Sequence, residues 1–391
     1  MTNQVIILGS TGSIGSSALE IIKKERNYKV LIISANKNIN KLFKQALKFK
    51  VKHAIIEDRF QYNKFKNLFY KNKINLYLGF NKSINNILKK KISYCINSIA
   101  GIDGLEPTLK VIPHTRKILI ANKESIISGW HIIKKQLDKY NTDFIPIDSE
   151  HFSIWKLIRN ENKKNIDKIF LTASGGPFLN KAKKQISNIK PKFALKHPNW
   201  RMGKKISIDS ATMMNKIFEL IEAKKIFELN KNDLSIIIHP LSFIHAIVFF
   251  KGNIIKILAH DTNMKIPISN ALDIHNKTLN TKIYNQIYKL NSLRFEKPKK
   301  NQFPILSIID LIPEKNSYFE TILITLNDCL VHKYLKNEIN YISLQLNLLK
   351  LIKSPFLVKF YNLKPKNIYD IKKMINITNN YIKKEIIYYD K

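Results

Sequence analysis

Glycine is scarce in this chain: 11 of 391 residues, under half the roughly 7% usual in proteins. Eight of the eleven fall in four short segments: Gly9, Gly12 and Gly15; Gly101 and Gly104; Gly175 and Gly176; and Gly203. A chain so sparing with glycine keeps it where the backbone needs a positive φ or close approach to a ligand. Cysteine is scarcer still. Cys95 and Cys329 stand far apart without metal-ligand spacing, which excludes a disulfide framework and points to a reducing cytoplasm. Long apolar runs are missing too. The longest, Ile236 to Phe250, contains His239 and His245 and is too short to span a bilayer. The apolar run at the N-terminus is four residues ended by glycine, neither a signal nor a transit peptide. A soluble protein with no membrane partner is expected.

Acidic residues are few. Sixty-seven Lys and Arg against 29 Asp and Glu give a net charge of +38. Such an excess points to nucleic acid or an anionic surface. The competing explanation is a compositional bias towards A/T-rich codons, because Lys, Asn and Ile recur everywhere (KNKIN, NKSINNILKKK, ENKKNIDK). A nucleic-acid site gathers its Arg and Lys into a patch with interleaved aromatics; here the lysines are spread, and no specific nucleic-acid partner is expected.

Residues 1–147 alternate short β-branched runs with helical segments. VIIL (Val5–Leu8), VLIIS, HAIIE, YCINSI, KILIA and FIPID read as strands. Continuous apolar runs, rather than alternating ones, suit a parallel sheet covered on both faces. The class is therefore α/β, with an N-terminal Rossmann-like domain over 1–147. A central α+β domain over 148–280 carries KIFLTAS, SIIIH and IIKILAH as strands and one strong helix after Ser210. Residues 281–303 read as a polar linker, and 304–391 as a C-terminal α-helical bundle.

Strand VIIL runs into GSTGSIG (Gly9–Gly15) and then into a helix. Strand, glycine turn and helix N-terminus make an anion cradle for a dinucleotide pyrophosphate. The spacing G-x-x-G-x-x-G is a variant associated with NADP-dependent reductases. After the second strand an NAD site presents Asp or Glu to the ribose. Here the segment is SANKN, with Lys37 and no acid, which suits a 2′-phosphate and favours NADPH. ANKES follows another strand at the carboxyl edge, making Asn122, Lys123 and Glu124 site candidates.

In IPIDSEH, Asp148 and Glu150 are two apart. In an extended segment both carboxylates face one side, where they repel unless a cation lies between them. Hard oxygen ligands indicate Mg²⁺ or Mn²⁺ rather than zinc. The segment KISIDSATMMNKIFEL offers a third acid. Asp209 or Ser210 is expected to cap a helix starting near Ala211. On that helix Asn215, Lys216 and Glu219 share an arc opposite Met213, Ile217 and Leu220. Ser210, Asn215 and Lys216 are thus placed to grip a phosphate near the helix start, with Glu219 deeper on the metal. SGGPF supplies Ser174 and glycine N–H groups for a second grip. In the loop KHPNWRMG, His197 and Trp200 are placed to close over a ligand. His239 reads equally well as a core residue.

These segments in this order resemble the 1-deoxy-D-xylulose 5-phosphate reductoisomerase family. The resemblance runs through GSTGSIG, AGIDGLEPTL, LIANKES, PIDSEH, LTASGGPF, KHPNWRMGKKISIDSATMMNK and IHPLSFIHAIV, dense over residues 1–270. It implies a metal-dependent rearrangement of 1-deoxy-D-xylulose 5-phosphate coupled to reduction by NADPH, giving 2-C-methyl-D-erythritol 4-phosphate, and a homodimer. It implies that Asp148, Glu150 and Glu219 are metal ligands. Ser149, Ser174, His197, Ser210, Asn215 and Lys216 are implied to hold the substrate, with Lys123 beside them and Trp200 on a flap at about 190–204. Thr11, Gly12, Ser13, Ile14, Lys37, Asn38, Asn122, Glu124 and Gly203 are implied to contact NADPH, as is Asn36 in the same loop. Asn36 stands where the family shows glycine; Asn tolerates the left-handed region. Arg201 replaces a small polar residue in the flap, and Asn327 and Asp328 stand where the family carries Asn-Glu. A different NADP-dependent oxidoreductase, such as a semialdehyde dehydrogenase, needs a nucleophilic cysteine, and neither Cys95 nor Cys329 has such a setting.

Overall fold

The computed structural model describes residues 2–80, 84, 87–274 and 283–386. The chain forms two compact units. One comprises Met1–Ile126, His131–Phe152 and Met264–Thr281; the other comprises Ile127–Trp130, Ser153–Asn263 and Lys282–Lys391.

Among the described residues the first unit holds seven strands: β1 (Asn3–Leu8), β2 (Tyr28–Ala35), β3 (His53–Ile56), β4 (Asn75–Leu78), β5 (Ile92–Asn97), β6 (Thr115–Ile120) and β7 (Asp143–Pro146). They form one sheet in the order β4-β3-β2-β1-β5-β6-β7, parallel at every pairing. Val5, Ile6, Ile7 and Leu8 of β1 are all fully buried, as a central strand covered on both faces requires. The six expected strands are present. The edge strand β4 was not anticipated, because NLYL is short and only half-buried. Helices α1 (Ser13–Ile22), α2 (Ile39–Lys48), α3 (Arg59–Lys71), α4 (Leu105–Val111) and α5 (Lys123–Tyr140) connect the strands. The strand order reverses between β1 and β5, so the turn after β1 opens at the topological switch point, where such sheets bind ligands. After β7 the chain enters α6 (Ser149–Ile158).

The second unit holds β8 (Ile166–Ala173), β9 (Leu234–Ile238), β10 (Ile244–Phe250) and β11 (Ile254–Ala259), ordered β11-β10-β8-β9. β8 and β9 run parallel and the other pairings are antiparallel. β10 was not anticipated as a separate strand; it is the second half of the long apolar stretch, which turns at Pro240–Phe243. One face of this sheet (Ile169, Leu171, Ile236, Ile238, Ala246, Val248) joins a core shared with helices α7 (Lys204–Thr212), α8 (Met214–Phe227), α10 (Phe319–Leu335), α11 (Tyr341–Leu351) and α12 (Ile368–Glu385). The C-terminal helices therefore share one core with the central sheet.

Four expectations are corrected. The segment after Asp148 is not extended: Phe152 N–H donates to Asp148 O at 2.8 Å, the first turn of α6, so Asp148 and Glu150 are brought together by a helix start rather than by a strand face. Asp209 and Ser210 do not cap a helix; they lie inside α7, which ends at Met213 in the left-handed region (φ 67°) before α8 begins. Within α8, Lys216, Glu219 and Glu222 are buried along with Ile217, Leu220 and Ile221. Finally, the expected linker is largely structured. Residues 281 and 282 lie outside the described residues, but Ile283–Ser292 forms 3₁₀ turns, Glu296 bridges Ile238 and Phe303 is buried. Helix α9 (Lys265–Ala271), expected in the central domain, packs in the first unit instead, with Lys265 Nζ 2.6 Å from Glu20.

Candidate active site

The turn after β1 is held by contacts with β2 and α2. Gly9 N–H donates to Ser34 Oγ (3.0 Å) and Ser10 N–H to Ser34 O (2.9 Å). Ser10 and Gln45 of α2 exchange a reciprocal pair, Oγ to Oε1 at 2.8 Å and Nε2 to the Ser10 carbonyl at 2.9 Å, and Lys41 Nζ donates to Thr11 O at 2.8 Å. Gly9 has φ 73°, and a Cβ there would lie 2.8 Å from Ser98 O; at Gly15 a Cβ would lie 2.6 Å from Gly9 O and Ser10 Cα. Only glycine lets β1 and α1 approach this closely. Gly12 is the N-cap of α1, with no side-chain cap and no acid in the first turn, and Gly12 and Ser13 are exposed. The first-turn N–H groups of a helix have no intrahelical acceptor, and at this exposed N-terminus they suit a pyrophosphate.

At the end of β2, Asn36, Lys37 and Asn38 are exposed. Asn36 does not adopt a left-handed φ, so this turn does not need the glycine of the family pattern. Asn38 Oδ1 accepts from Lys41 N at 3.1 Å and caps α2. Asn122 caps α5 by accepting from Ser125 N (2.6 Å), and its amide donates to the carbonyls of Ile99 and Gly101. It thereby clamps the AGIDG loop to the start of α5, with Glu124 in the first turn.

One turn of helix beyond β7 gathers charged groups. Lys123 Nζ donates to Asp148 Oδ2, and His151 Nδ1 lies 3.1 Å from Asp148 Oδ1. Burial opposes ionisation of Asp148, but the Lys123 ammonium and the His151 hydrogen bond outweigh it and hold its carboxyl well below the usual range. Ser149 Oγ donates to Glu150 Oε2, and Ser149, Glu150 and Lys123 are all buried. His151, three residues after Asp148, had no assigned role; the i,i+3 spacing at a helix start is the signal that would have found it.

The second unit carries the remaining candidates. On α8, Asn215 Nδ2 and Lys216 Nζ both donate to Glu219, which is 1% exposed. Ser174, Gly175, Ser210, Met213, Asn215 and Lys216 line one small cleft, so the SGG loop, the end of α7 and the start of α8 meet there. His197 Nδ1 accepts from the N–H groups of Asn199 (3.1 Å) and Trp200 (3.0 Å), which places the ring proton on Nε2, 3.0 Å from Ser174 Oγ. Gly176 N–H also donates to Ser174 Oγ at 3.0 Å. Two donors on that oxygen leave the hydroxyl proton of Ser174 for an acceptor such as a phosphate oxygen. Trp200 is half-buried with its ring edge-on to His245, centroids 5.9 Å apart, and Asn199 Nδ2 ties the flap to Pro240 O (2.6 Å) and Ser242 Oγ (2.9 Å). Gly203 precedes α7 in extended geometry with open space around it, so nothing in the fold demands glycine there. His239 is fully buried against Phe295, which resolves it as a core residue.

A glycine-turn cradle at the switch point of a parallel sheet, with a cation and no acid after β2, defines the class: an NADP-dependent oxidoreductase. Family profiles sharpen this. Residues 5–129 match 1-deoxy-D-xylulose 5-phosphate reductoisomerase, and 144–227 and 260–381 match two C-terminal domains of that enzyme. The reductoisomerase of Pelagibacter ubique is 48% identical over 390 residues, covering 98% of each chain, and that of Clostridium tetani is 36% identical over 387 residues, 97% of this chain and 99% of the other. The Zymomonas mobilis enzyme solved with NADPH superposes with a TM-score of 0.86 at 27% identity, covering 97% and 98% of the two chains. A reductoisomerase solved with NADPH, fosmidomycin and magnesium gives 0.87 at 28% identity, covering 98% of each. The chain belongs to the 1-deoxy-D-xylulose 5-phosphate reductoisomerase family.

Proposed function

We propose that this protein rearranges 1-deoxy-D-xylulose 5-phosphate and reduces the product with NADPH to 2-C-methyl-D-erythritol 4-phosphate, using Asp148, Glu150 and Glu219 as the ligands of one Mg²⁺ or Mn²⁺. The observation that carries the reading is Glu219, a carboxylate 1% exposed on a helix otherwise packed in the core. Asn215 and Lys216 each take one oxygen of this buried carboxylate and keep it ionised, and each oxygen retains a lone pair for a metal. The donor set fits the ion, since three carboxylates offer hard oxygen atoms and no sulfur or imidazole. The solved relatives that hold NADPH and magnesium support the same reading.

When bound, the divalent cation supplies Lewis-acid polarisation of the substrate's carbonyl and hydroxyl oxygens, and NADPH supplies the hydride. The side chains do the rest. Ser174, Ser210, Asn215 and Lys216 grip the phosphate, and His197 orients Ser174. Lys123 holds Asp148 ionised, and Ser149 fixes the carboxylate of Glu150 while reaching the substrate. Thr11, Gly12, Ser13 and Ile14 cradle the pyrophosphate. Asn36, Lys37 and Asn38 take the 2′-phosphate end of NADPH, with Asn122, Glu124 and Gly203 completing the cofactor contacts. Trp200 covers the bound substrate and excludes water while the reactive aldehyde is present.

The reading includes a homodimer. The uncovered face of the four-stranded sheet, where Ile255 and Ile257 are 53% and 48% exposed beside Phe249 and Phe170, supports it. A sedimentation mass near twice 45.6 kDa tests it. No specific nucleic-acid or membrane partner belongs to this function, and among the described residues no helix is long and apolar enough to cross a membrane. The deciding assay follows NADPH absorbance with 1-deoxy-D-xylulose 5-phosphate, with and without Mg²⁺ or Mn²⁺. Metal-dependent oxidation is expected; none with a folded, NADPH-binding protein overturns the substrate assignment.

A further inference from the structure

Ser210 lies in the last turn of α7, a helix that carries no other residue of the proposed site. Its two neighbours in sequence are gripped from the C-terminal helices. On one side, Asp209 is 1% exposed. Its Oδ1 accepts from Asn327 Nδ2 of α10 at 2.8 Å and its Oδ2 lies 2.9 Å from Lys205 Nζ, which also lies 3.0 Å from Asp328 Oδ1. On the other side, the carbonyl of Ala211 accepts from the hydroxyl of Tyr341 of α11 at 2.8 Å. The Tyr341 ring meets Phe178 of the SGGPF loop edge-on, centroids 5.2 Å apart. A Cβ on Gly176 would lie 2.9 Å from Ser210 O and 3.0 Å from Ala211 Cα, so that loop rests directly on the same stretch of α7. Burial pushes the Tyr341 hydroxyl far above its ordinary range, and it remains a donor at every working pH.

We propose that Asn327 and Tyr341 are positioning residues for the substrate's phosphate: the C-terminal helices clamp α7 on both sides of Ser210 and, through the Tyr341–Phe178 contact, set the spacing between Ser210 and Ser174. This deepens the functional reading above and rests on it. Neither residue touches substrate. Each acts by fixing a main-chain stretch whose side chain does, so an error of a few tenths of an ångström in α7 weakens phosphate binding before it slows the chemistry.

The test uses the full-length protein. Tyr341→Phe keeps the ring and removes the donor to Ala211 O. The KM for 1-deoxy-D-xylulose 5-phosphate should rise by roughly three- to tenfold, the effect of one lost buried hydrogen bond. The inhibition constant of inorganic phosphate should rise in parallel, while kcat stays within about twofold and the Kd for NADPH is unchanged. Asn327→Asp sets a second carboxylate against Asp209 and should raise KM further. The double variant Asp209→Asn with Asn327→Asp reverses donor and acceptor at constant charge and should restore KM. An unchanged KM in Tyr341→Phe, a kcat loss without a KM change, or a double variant no better than Asn327→Asp overturns the proposal. Failure of the wild type to turn over the substrate overturns the functional reading instead, and inorganic phosphate binding by calorimetry then still decides the clamp.

Discussion

The two proposed anion sites of this molecule are built by opposite means. In the first unit the cradle is main chain: Gly9, Gly12 and Gly15 shape it, no side chain caps α1, and Ser34, Lys41 and Gln45 brace it from behind. In the second unit the cleft is side chain: Ser174, Ser210, Asn215 and Lys216 arrive from a loop and two helices. A backbone site tolerates changes of side-chain chemistry but not an added methyl group. A side-chain site tolerates small backbone shifts poorly and is abolished by loss of single polar atoms. The largest expected effect lies on the side-chain half. Glu219→Gln removes the charge of a proposed metal ligand while conserving shape, and kcat should fall by on the order of 10³, the several kcal/mol a Lewis acid contributes. NADPH affinity, set in the other unit, should not change. A parallel loss of NADPH binding, read by its fluorescence, would show that the two sites are not independent.

The backbone half is tested by where a methyl group is tolerated. At Gly15 a Cβ meets main-chain atoms at 2.6 Å that cannot move without displacing the turn. Gly15→Ala should weaken NADPH binding by about a hundredfold and lower the stability of the first unit by roughly 2–3 kcal/mol. At Gly12 the φ of −73° is ordinary and the nearest atom to a Cβ is 3.4 Å away, so Gly12→Ala should cost under about tenfold. Titration of both variants with NADPH checks the ranking. Equal losses would mean that the cradle is read by surface shape rather than by the β1–α1 approach.

How far each half could be read in advance follows from the same difference. The six strands, the glycine turn and the missing acid after β2 are local patterns, and the seven-stranded parallel sheet carries them as expected. The acids were also legible as residue types, but their geometry was not. Asp148 and Glu150 share a site because α6 starts between them, and Ser210 sits at the end of one helix because Met213 breaks the chain with a left-handed φ. Neither event has a glycine or proline to announce it. Most remote from sequence were Gln45, Asn327 and Tyr341, whose partners lie 35 to 130 residues away. Nothing in a single sequence pairs Tyr341 with Ala211. The polar stretch after Ser292 was misjudged for a related reason: its lysines are exposed while Phe303 turns inward.

Lys37 sharpens the comparison at the cofactor's far end. It is the exposed cation where an acid would select NADH. Lys37→Asp should lower the preference for NADPH over NADH by about tenfold or more, since one phosphate contact becomes a repulsion. Ratios of kcat/KM for the two cofactors measure it. An unchanged ratio would transfer the role to Lys41, whose ammonium holds Thr11 O.

The smallest effect concerns acid stability. In the second unit, His239 Nδ1 lies 3.0 Å from Arg294 O while Nε2 is buried without a hydrogen-bond partner. Burial lowers its pKa from 6.5, and the Arg294 carbonyl only partly opposes this. His53 in the first unit is lowered by burial and by Lys52. Below neutral pH the unfolded chain binds a proton at each that the folded protein refuses. Each therefore contributes stability that is fully present above about pH 6.5 and declines as pH falls through the lower folded value. Thermal midpoints taken from pH 7.5 down to pH 5 should fall less steeply in His239→Gln than in the wild type, and likewise in His53→Gln. His239 has no acceptor waiting for a second proton, whereas His53 faces Tyr77 Oη at 3.2 Å, so the His239 variant should flatten the profile more. Coincident slopes in wild type and His239→Gln would show that the acid sensitivity lies elsewhere.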